Sequence, residues 1–242
     1  MSNLLIAIHA THTVITLNRP DKLNALSPDM VEELIQVFDD AEASKTSLVI
    51  LQGEGRCFSA GFDMSEVHTQ SEGDLVLRFI RIETLLNKVA SSSCFTVALA
   101  HGRNFGAGVD LIAACNLRVA APDTTFRMPG LKFGLVLGSA RFARIVGSQE
   151  ARRILETAAT FDVERASAKG FIERVAGPGE YQSVISEAVE RVGALPAESR
   201  ALLRRALDTE RADADLAALV RSASAPGLRR RINAYLSLSK KP

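Results

Sequence analysis

The sequence predicts a mixed α/β fold, built as one large domain or as a core with a small appendage. Three observations carry this reading. Short β-branched apolar runs alternate with longer segments whose apolar residues recur at helical spacing. The 242 residues, 47% of them hydrophobic, are enough to bury a large core without disulfide or metal staples. From about Ser148 onward the composition turns to Ala, Glu and Arg with few strand signals. An α/β core over residues 1–175, followed by a helical region over 176–242, fits that shift.

Each element follows from its residues. Leu4–Ile8 and Thr13–Leu17 read as two strands joined through Ala10–His12, and Asn18-Arg19-Pro20-Asp21 is turn chemistry. Ser27 is an N-cap, Pro28 takes the first helical position, and Asp29 stands at the positive helix end. Met30, Leu34, Val37, Phe38 and Ala41 then form one apolar stripe. Leu48–Leu51 is a short buried strand leading into the loop Gly53–Asp63. A second helix spans about Asp74 to Ala90, with Leu75, Phe79, Ile82, Leu86 and Val89 inward.

Phe95–Ala100 is a strand, Gly102–Gly108 a glycine-rich turn, and Val109–Ala114 a helix opening straight after it. Leu117–Ala120 and Thr125–Arg127 are strands, and a helix forms around Ala140–Val146. Three to five amphipathic helices follow, separated at Gly177-Pro178-Gly179, Pro196 and Pro226-Gly227.

Composition excludes several classes. Lys and Arg number 29 against 28 Asp and Glu, so the footprint of a nucleic-acid or anionic-membrane binder is missing. The three cysteines, Cys57, Cys94 and Cys115, are odd in number and far apart, which fits a reducing cytosol better than a disulfide scaffold or a zinc site. The N-terminus lacks a basic stretch and is interrupted by His9 and His12, and the longest apolar runs fall far short of a membrane span. The expectation is a soluble, cytoplasmic protein with no metal and no bound cofactor.

Two loops hold the candidate chemistry: Phe58–Asp63 and Gly102–Gly108. In the second, glycines open a helix, leaving free backbone N–H groups that suit an anion or an oxygen becoming one. The same glycines also suit a tight turn or close helix packing. Other readings fail, since no third Gly completes a dinucleotide fingerprint after Gly106-Ala107-Gly108, and neither a phosphate loop nor a G-x-S-x-G elbow occurs. His68 sits in a polar stretch, and Arg229–Arg231 and Lys240–Lys241 read as a solvated face and tail.

The runs NRPDKLNALS (18–27), GEGRCFSAGFDMSE (53–66) and HGRNFGAGVDLIAACNLRVAAPDTTFRMPGLKFGL (101–135) resemble the crotonase superfamily, the enoyl-CoA hydratase/isomerases. The match covers the first two-thirds of the chain in order, and the C-terminal helices fit in general character. The resemblance implies a spiral of repeated ββα-like units with a helical trimerisation region, hence a homotrimer or dimer of trimers. It implies an acyl-CoA substrate, with coenzyme A as part of the thioester, and an enolate held by the backbone N–H groups of Phe62 and Ala107. It places substrate and coenzyme A near Lys22, Asn24, Ala25, Ala60, Gly61, Asp63, Met64, Gly106 and Gly130. Lys22 offers a positive charge or is an ordinary turn lysine.

The chain also departs from the pattern. Of the two hydratase glutamates, the first matches Asp110, as in the dienoyl-CoA isomerase branch, and the second matches Gly130. The extra aspartate of that branch matches Gly138. Near the C-terminus Tyr235 holds the aromatic position, while the matched lysine is Leu238, leaving Lys240 or Lys241 as substitutes. Asp110 is thus the remaining acid/base carboxylate at a matched position, or else a helix-start residue favoured by the dipole. The reaction implied is isomerase-like or atypical. The alternatives are a catalytically poor acyl-CoA binder and a hydratase using a recruited carboxylate, with Glu83 or Glu66 nearest in sequence. The segments Ser65–Leu77 and Leu131–Leu137 are expected to line the acyl chain.

Overall fold

The computed structural model of the chain describes residues 2–207 and 211–239. Strands β1 (Leu4–Ile8) and β2 (Thr13–Leu17) pair antiparallel, with Leu4 opposite Leu17. Every later pairing in this sheet is parallel. Parallel neighbours need long crossovers, and two helices supply the first ones. Helix α1 (Pro28–Ala43) links β2 to β3 (Leu48–Gly53), and α2 (Glu72–Ser91) links β3 to β4 (Phe95–Ala100).

From there the chain spirals. β5 (Arg103–Phe105) leaves the main sheet before α3 (Ala107–Ala113), and β6 (Leu117–Ala120) rejoins it beside β4. β7 (Thr125–Arg127) then pairs with β5, and α4 (Ser139–Val146) follows. Helices α5 (Ser148–Thr157) and α6 (Val163–Ala168) flank β8 (Phe161–Asp162), and β9 (Arg174–Val175) closes the main sheet. The result is a six-stranded sheet, β1-β2-β3-β4-β6-β9, and a three-stranded one, β5-β7-β8. The units β4-β5-α3 and β6-β7-α4 repeat one ββα step.

Alternation along the strands explains the two layers. Ile15, Leu17, Val49, Leu51, Ala98 and Ala100 face the core shared with α1 and α2. Leu48, Ile50, Val97, Leu99 and Val119 face the other way, onto Val184, Ile185, Ala188 and Val192 of α7 (Tyr181–Gly193). Strands covered on both faces read as unbroken apolar runs, as these do. The Ser27 cap is present, its side chain accepting from Met30 N–H at 3.3 Å.

The structure differs from the sequence reading in four places. Helix α2 begins earlier, because Ser71 and Asp74 form a reciprocal capping box. The glycine-rich turn contains strand β5, whose three residues pair with β7 across a long sequence gap and so carry no local signal. Helix α3 starts at Ala107 rather than Val109, the glycine at 108 lying inside it. Beyond Ser148 the described residues hold six helices rather than three to five, with the short strands β8 and β9 among them.

The last helices are α8 (Ala197–Leu207), α9 (Ala212–Ala223) and α10 (Leu228–Ser239). Both α9 and α10 pack on α2, and Leu219, Ala223, Leu228 and Ile232 enter the main core. Among the described residues, no helix is long and apolar enough to cross a membrane.

Candidate active site

The two candidate loops lie back to back. Gly61 has a positive φ of 78°, and a Cβ there would stand 2.3 Å from the Phe105 carbonyl oxygen and 3.0 Å from the Ala107 nitrogen. Only glycine permits both the conformation and the approach. Phe62 forms a parallel bridge with Leu26, made by Leu26 N–H donating to Gly61 and Asp63 N–H donating to Leu26. Phe62 N–H is left out of that bridge. Ala107, as the first residue of α3, has an N–H without an intrahelical acceptor.

Side chains brace this arrangement from behind. Asn24 is fully buried; its amide donates to the carbonyls of Glu54 and Cys57, and its Oδ1 accepts from Arg19 N–H. Ser59 Oγ donates to the Asn24 carbonyl and accepts from Gly61 N–H. Asp63 pairs with Arg19 at 2.8 Å and accepts from Ser65 N–H. Burial would raise the Asp63 carboxyl, but the bonds from Ser65 and Arg19 outweigh it and hold it below the ordinary carboxylate value. The Phe62 ring stacks on Phe79, with the Arg78 guanidinium 4.1 Å from its centroid.

In front of the loops lies a cavity of about 820 Å³, counting its open mouth. Ala60, Phe62, Met64, Gly106, Ala107, Asp110 and Gly130 all line it, so the structure gathers seven of the predicted positions around one space. Gly61 stands behind them. Leu131, Phe133, Leu135 and Leu137 contribute as expected from their segment. Ser65–Leu77 does not: Met64 and Phe79 line the cavity, while the residues between them turn elsewhere. Asn24 and Asp63 also stay out, their side chains committed to the loops. Lys22 is exposed at the end of the turn Pro20–Lys22, and Ala25 is buried with its carbonyl held by Arg19.

Asp110 is the carboxylate in the cavity wall. It is 2% exposed, and its Oδ1 has no hydrogen-bond partner among the described residues. Burial pushes its carboxyl well above the ordinary value, the nearby Glu83 adds to this, and Arg141 opposes it. The net direction is upward. Gly138, the N-cap of α4, gives Asp110 its room: a Cβ there would fall 2.1 Å from Asp110 Oδ1.

Of the two nearby glutamates, Glu83 lies fully buried beside Asp110, whereas Glu66 is exposed in a turn. Arg141 was missed by the sequence reading. Its signal was weak, because α4 carries two arginines, Arg141 and Arg144, and only the folded chain shows Arg141 buried. Phe105, Leu155, Tyr235 and Leu236 also line the cavity. The last two come from α10, which Arg231 pins in place by donating to the carbonyls of Phe133, Gly134, Ser222 and Ala225. Arg231 is thus spent on the fold rather than solvated. Leu238 is exposed, and Lys240 and Lys241 lie outside the described residues.

The family model for enoyl-CoA hydratase/isomerase matches residues 7–226. A Dictyostelium discoideum mitochondrial Δ(3,5)-Δ(2,4)-dienoyl-CoA isomerase is 31% identical over 176 residues, 66% of this chain and 60% of that protein. The short-chain-enoyl-CoA hydratase of Clostridium acetobutylicum is 28% identical over 79% of this chain and 76% of its own. A crystal structure from Bordetella parapertussis, described as an enoyl-CoA hydratase/isomerase, superposes with a TM-score of 0.96 at 50% identity over 99% of both chains. The spiral of ββα units, the paired loops and these matches agree: the chain belongs to the enoyl-CoA hydratase/isomerase family of the crotonase superfamily.

Proposed function

We propose that the chain shifts a double bond or a proton within an acyl-CoA thioester, with Asp110 as its acid/base group. The carrying observation is that one carboxyl, Asp110, lines the cavity whose wall also includes Phe62 and Ala107. The backbone N–H groups of those two residues are the donors for the thioester oxygen as it becomes an enolate. Removing such a donor costs about 3–4 kcal/mol in enzymes of this kind of chemistry. The acyl chain takes the apolar space between Phe62, Phe79, Phe133 and Leu137. Coenzyme A leaves past Lys22–Ala25, the segment that borders the Phe62 loop.

One carboxyl suffices for isomerisation. Its carboxylate takes a proton from one carbon of the acyl chain, the negative charge rests on the thioester oxygen, and the same carboxyl returns the proton at another carbon. Burial suits Asp110 to this, because a carboxylate of raised proton affinity is a stronger base, and general catalysis works best with a group poised near the working pH. Hydration needs a second group to hold water. Gly130 supplies no side chain there, and Glu83 does not line the cavity and is engaged by Arg141.

Calorimetry with a panel of acyl-CoA esters and free coenzyme A tests the substrate class. Binding of the thioesters is expected, and no binding by any of them overturns the reading. Hydration of crotonyl-CoA is expected to run about 10²–10⁴-fold below that of a two-glutamate hydratase assayed in parallel. A comparable rate would assign the reaction to hydration instead.

A further inference from the structure

The Phe62 loop is fastened from the α2 side by a residue that the proposed reaction does not use. Arg78 of α2 is buried, and its guanidinium meets the loop in two ways. Nη2 donates to the Asp63 carbonyl at 2.7 Å, and the guanidinium carbon stands 4.1 Å from the centroid of the Phe62 ring. Nη1 donates to Gln70 Oε1 at 2.9 Å, so one side chain spans the turn from Asp63 to Gln70. The next residue of α2, Phe79, stacks on the same Phe62 ring, with centroids 4.2 Å apart and planes 16° from parallel.

These contacts bear on the backbone N–H of Phe62. That N–H shares a peptide unit with the Gly61 carbonyl, which accepts from Leu26 N–H at 2.7 Å. In a trans peptide the two groups point opposite ways, so the bond from Leu26 turns Phe62 N–H away from Leu26. The following peptide is held at longer range, Asp63 N–H reaching the Leu26 carbonyl at 3.3 Å, and the bridge ends there. Arg78 then takes the third peptide of the series by its carbonyl, and the Phe62 side chain by its ring. Both of its acceptors are neutral oxygens, while the Asp63 carboxylate goes to Arg19. A charged donor makes a stronger bond to such an oxygen than a neutral one does. A planar fork that also lies over a ring gives up less freedom per bond than a lysine would.

We propose that Arg78 is a positioning residue for the Phe62 N–H donor: through the Asp63 carbonyl and the Phe62 ring it fixes the peptide orientation that lets this N–H polarise a thioester carbonyl. This rests on the reading of Phe62 N–H as one of two donors to that oxygen. Arg78 is not among the residues that line the cavity, so it acts through the loop and not on the substrate. Its effect falls on one donor of the two, because the Ala107 N–H is oriented by the start of α3.

Isotope-edited infrared spectroscopy of the full chain tests this with butyryl-CoA labelled at its thioester carbonyl, at concentrations that calorimetry shows to be saturating for each variant. In the wild type the carbonyl band should move to lower wavenumber on binding, because hydrogen-bond donors weaken the C=O bond. In Arg78→Met about half of that shift should be lost, one donor of the two having been released. Arg78→Lys keeps the charge and one donor but not the planar stack, and should recover part of the shift. Arg81→Met removes a surface arginine of the same helix, paired with Glu32, and should keep the full shift. That control separates the loss of Arg78 from general damage to α2. A full shift in Arg78→Met overturns the proposal, as does an equal loss in Arg81→Met. Should Arg78→Met fail to fold, a full wild-type shift in Arg78→Lys overturns it instead. A wild-type band that does not move on binding overturns the reading of Phe62 and Ala107 as donors, and the role of Arg78 falls with it. A shift that survives Arg78→Met leaves the donors standing and removes Arg78 alone.

Discussion

In the proposed reaction Asp110 is the acid/base group, and its surroundings set what its replacement does. Asp110→Asn keeps the shape and removes the base. Turnover should fall about 10²-fold or more, while acyl-CoA binding by calorimetry changes far less. Thermal stability supplies the control. The folded-state affinity of Asp110 for its proton is raised, so between the ordinary carboxylate range and that raised value the folded chain holds a proton that the unfolded chain releases. Stability is therefore lost, not gained, as pH rises through that window. Asn carries no such penalty, so melting of Asp110→Asn at neutral pH should be no lower than wild type. Gly138→Ala attacks the same carboxyl from behind. Its Cβ would meet Asp110 Oδ1, and its φ of 60° is left-handed. A loss of about 1–2 kcal/mol in chemical denaturation, together with a turnover defect like that of Asp110→Asn, is the expected pair of results.

At the scale of elements, the site is assembled from segments that meet only in three dimensions. Helix α3 carries Ala107 and Asp110, α2 carries Phe79 and Glu83, α4 carries Arg141, and α10 brings Tyr235 and Leu236 over the cavity. The Tyr235 ring packs 5.3 Å from that of Phe133. What holds α10 down is Arg231, whose four carbonyl contacts fall in two segments, Phe133–Gly134 and the end of α9. Arg231→Ala should cost about 2 kcal/mol, the usual scale for a charged group losing its hydrogen bonds. It should also weaken acyl-CoA binding about tenfold with a smaller effect on kcat, because the cavity loses a wall rather than its acid/base group. An unchanged KM would mean that α10 stays in place without the guanidinium.

At the scale of the whole molecule, the C-terminal region divides its apolar faces unequally. α9 and α10 bury theirs on α2, whereas α8 leaves Leu202 and Leu203 more than half exposed. We expect these leucines to be covered in a trimer or a dimer of trimers. Light scattering at micromolar concentration should give one of those masses, and Leu202→Glu/Leu203→Glu should shift it toward the monomer. A wild-type monomer would contradict the assembly.

The sequence by itself determined the fold class, the limits of most strands and helices and the family. Those follow from local signals: alternation, caps such as Ser27-Pro28, and three motifs in order. The resemblance those motifs carry also pointed to Phe62, Ala107 and Asp110, whereas the local signal by itself, glycines opening a helix, marked only the second loop. Tertiary structure alone decided the rest. Strand β5 exists because β7 pairs with it, and the roles of Asn24 and Asp63 as braces depend on partners tens of residues away. Likewise Glu83 separates from Glu66 only when α2 is seen to turn one inward and the turn before it leaves the other in solvent. Burial and charge pairing depend on distance in space, and that is what made Asp110 a raised carboxyl rather than an ordinary helix-start aspartate.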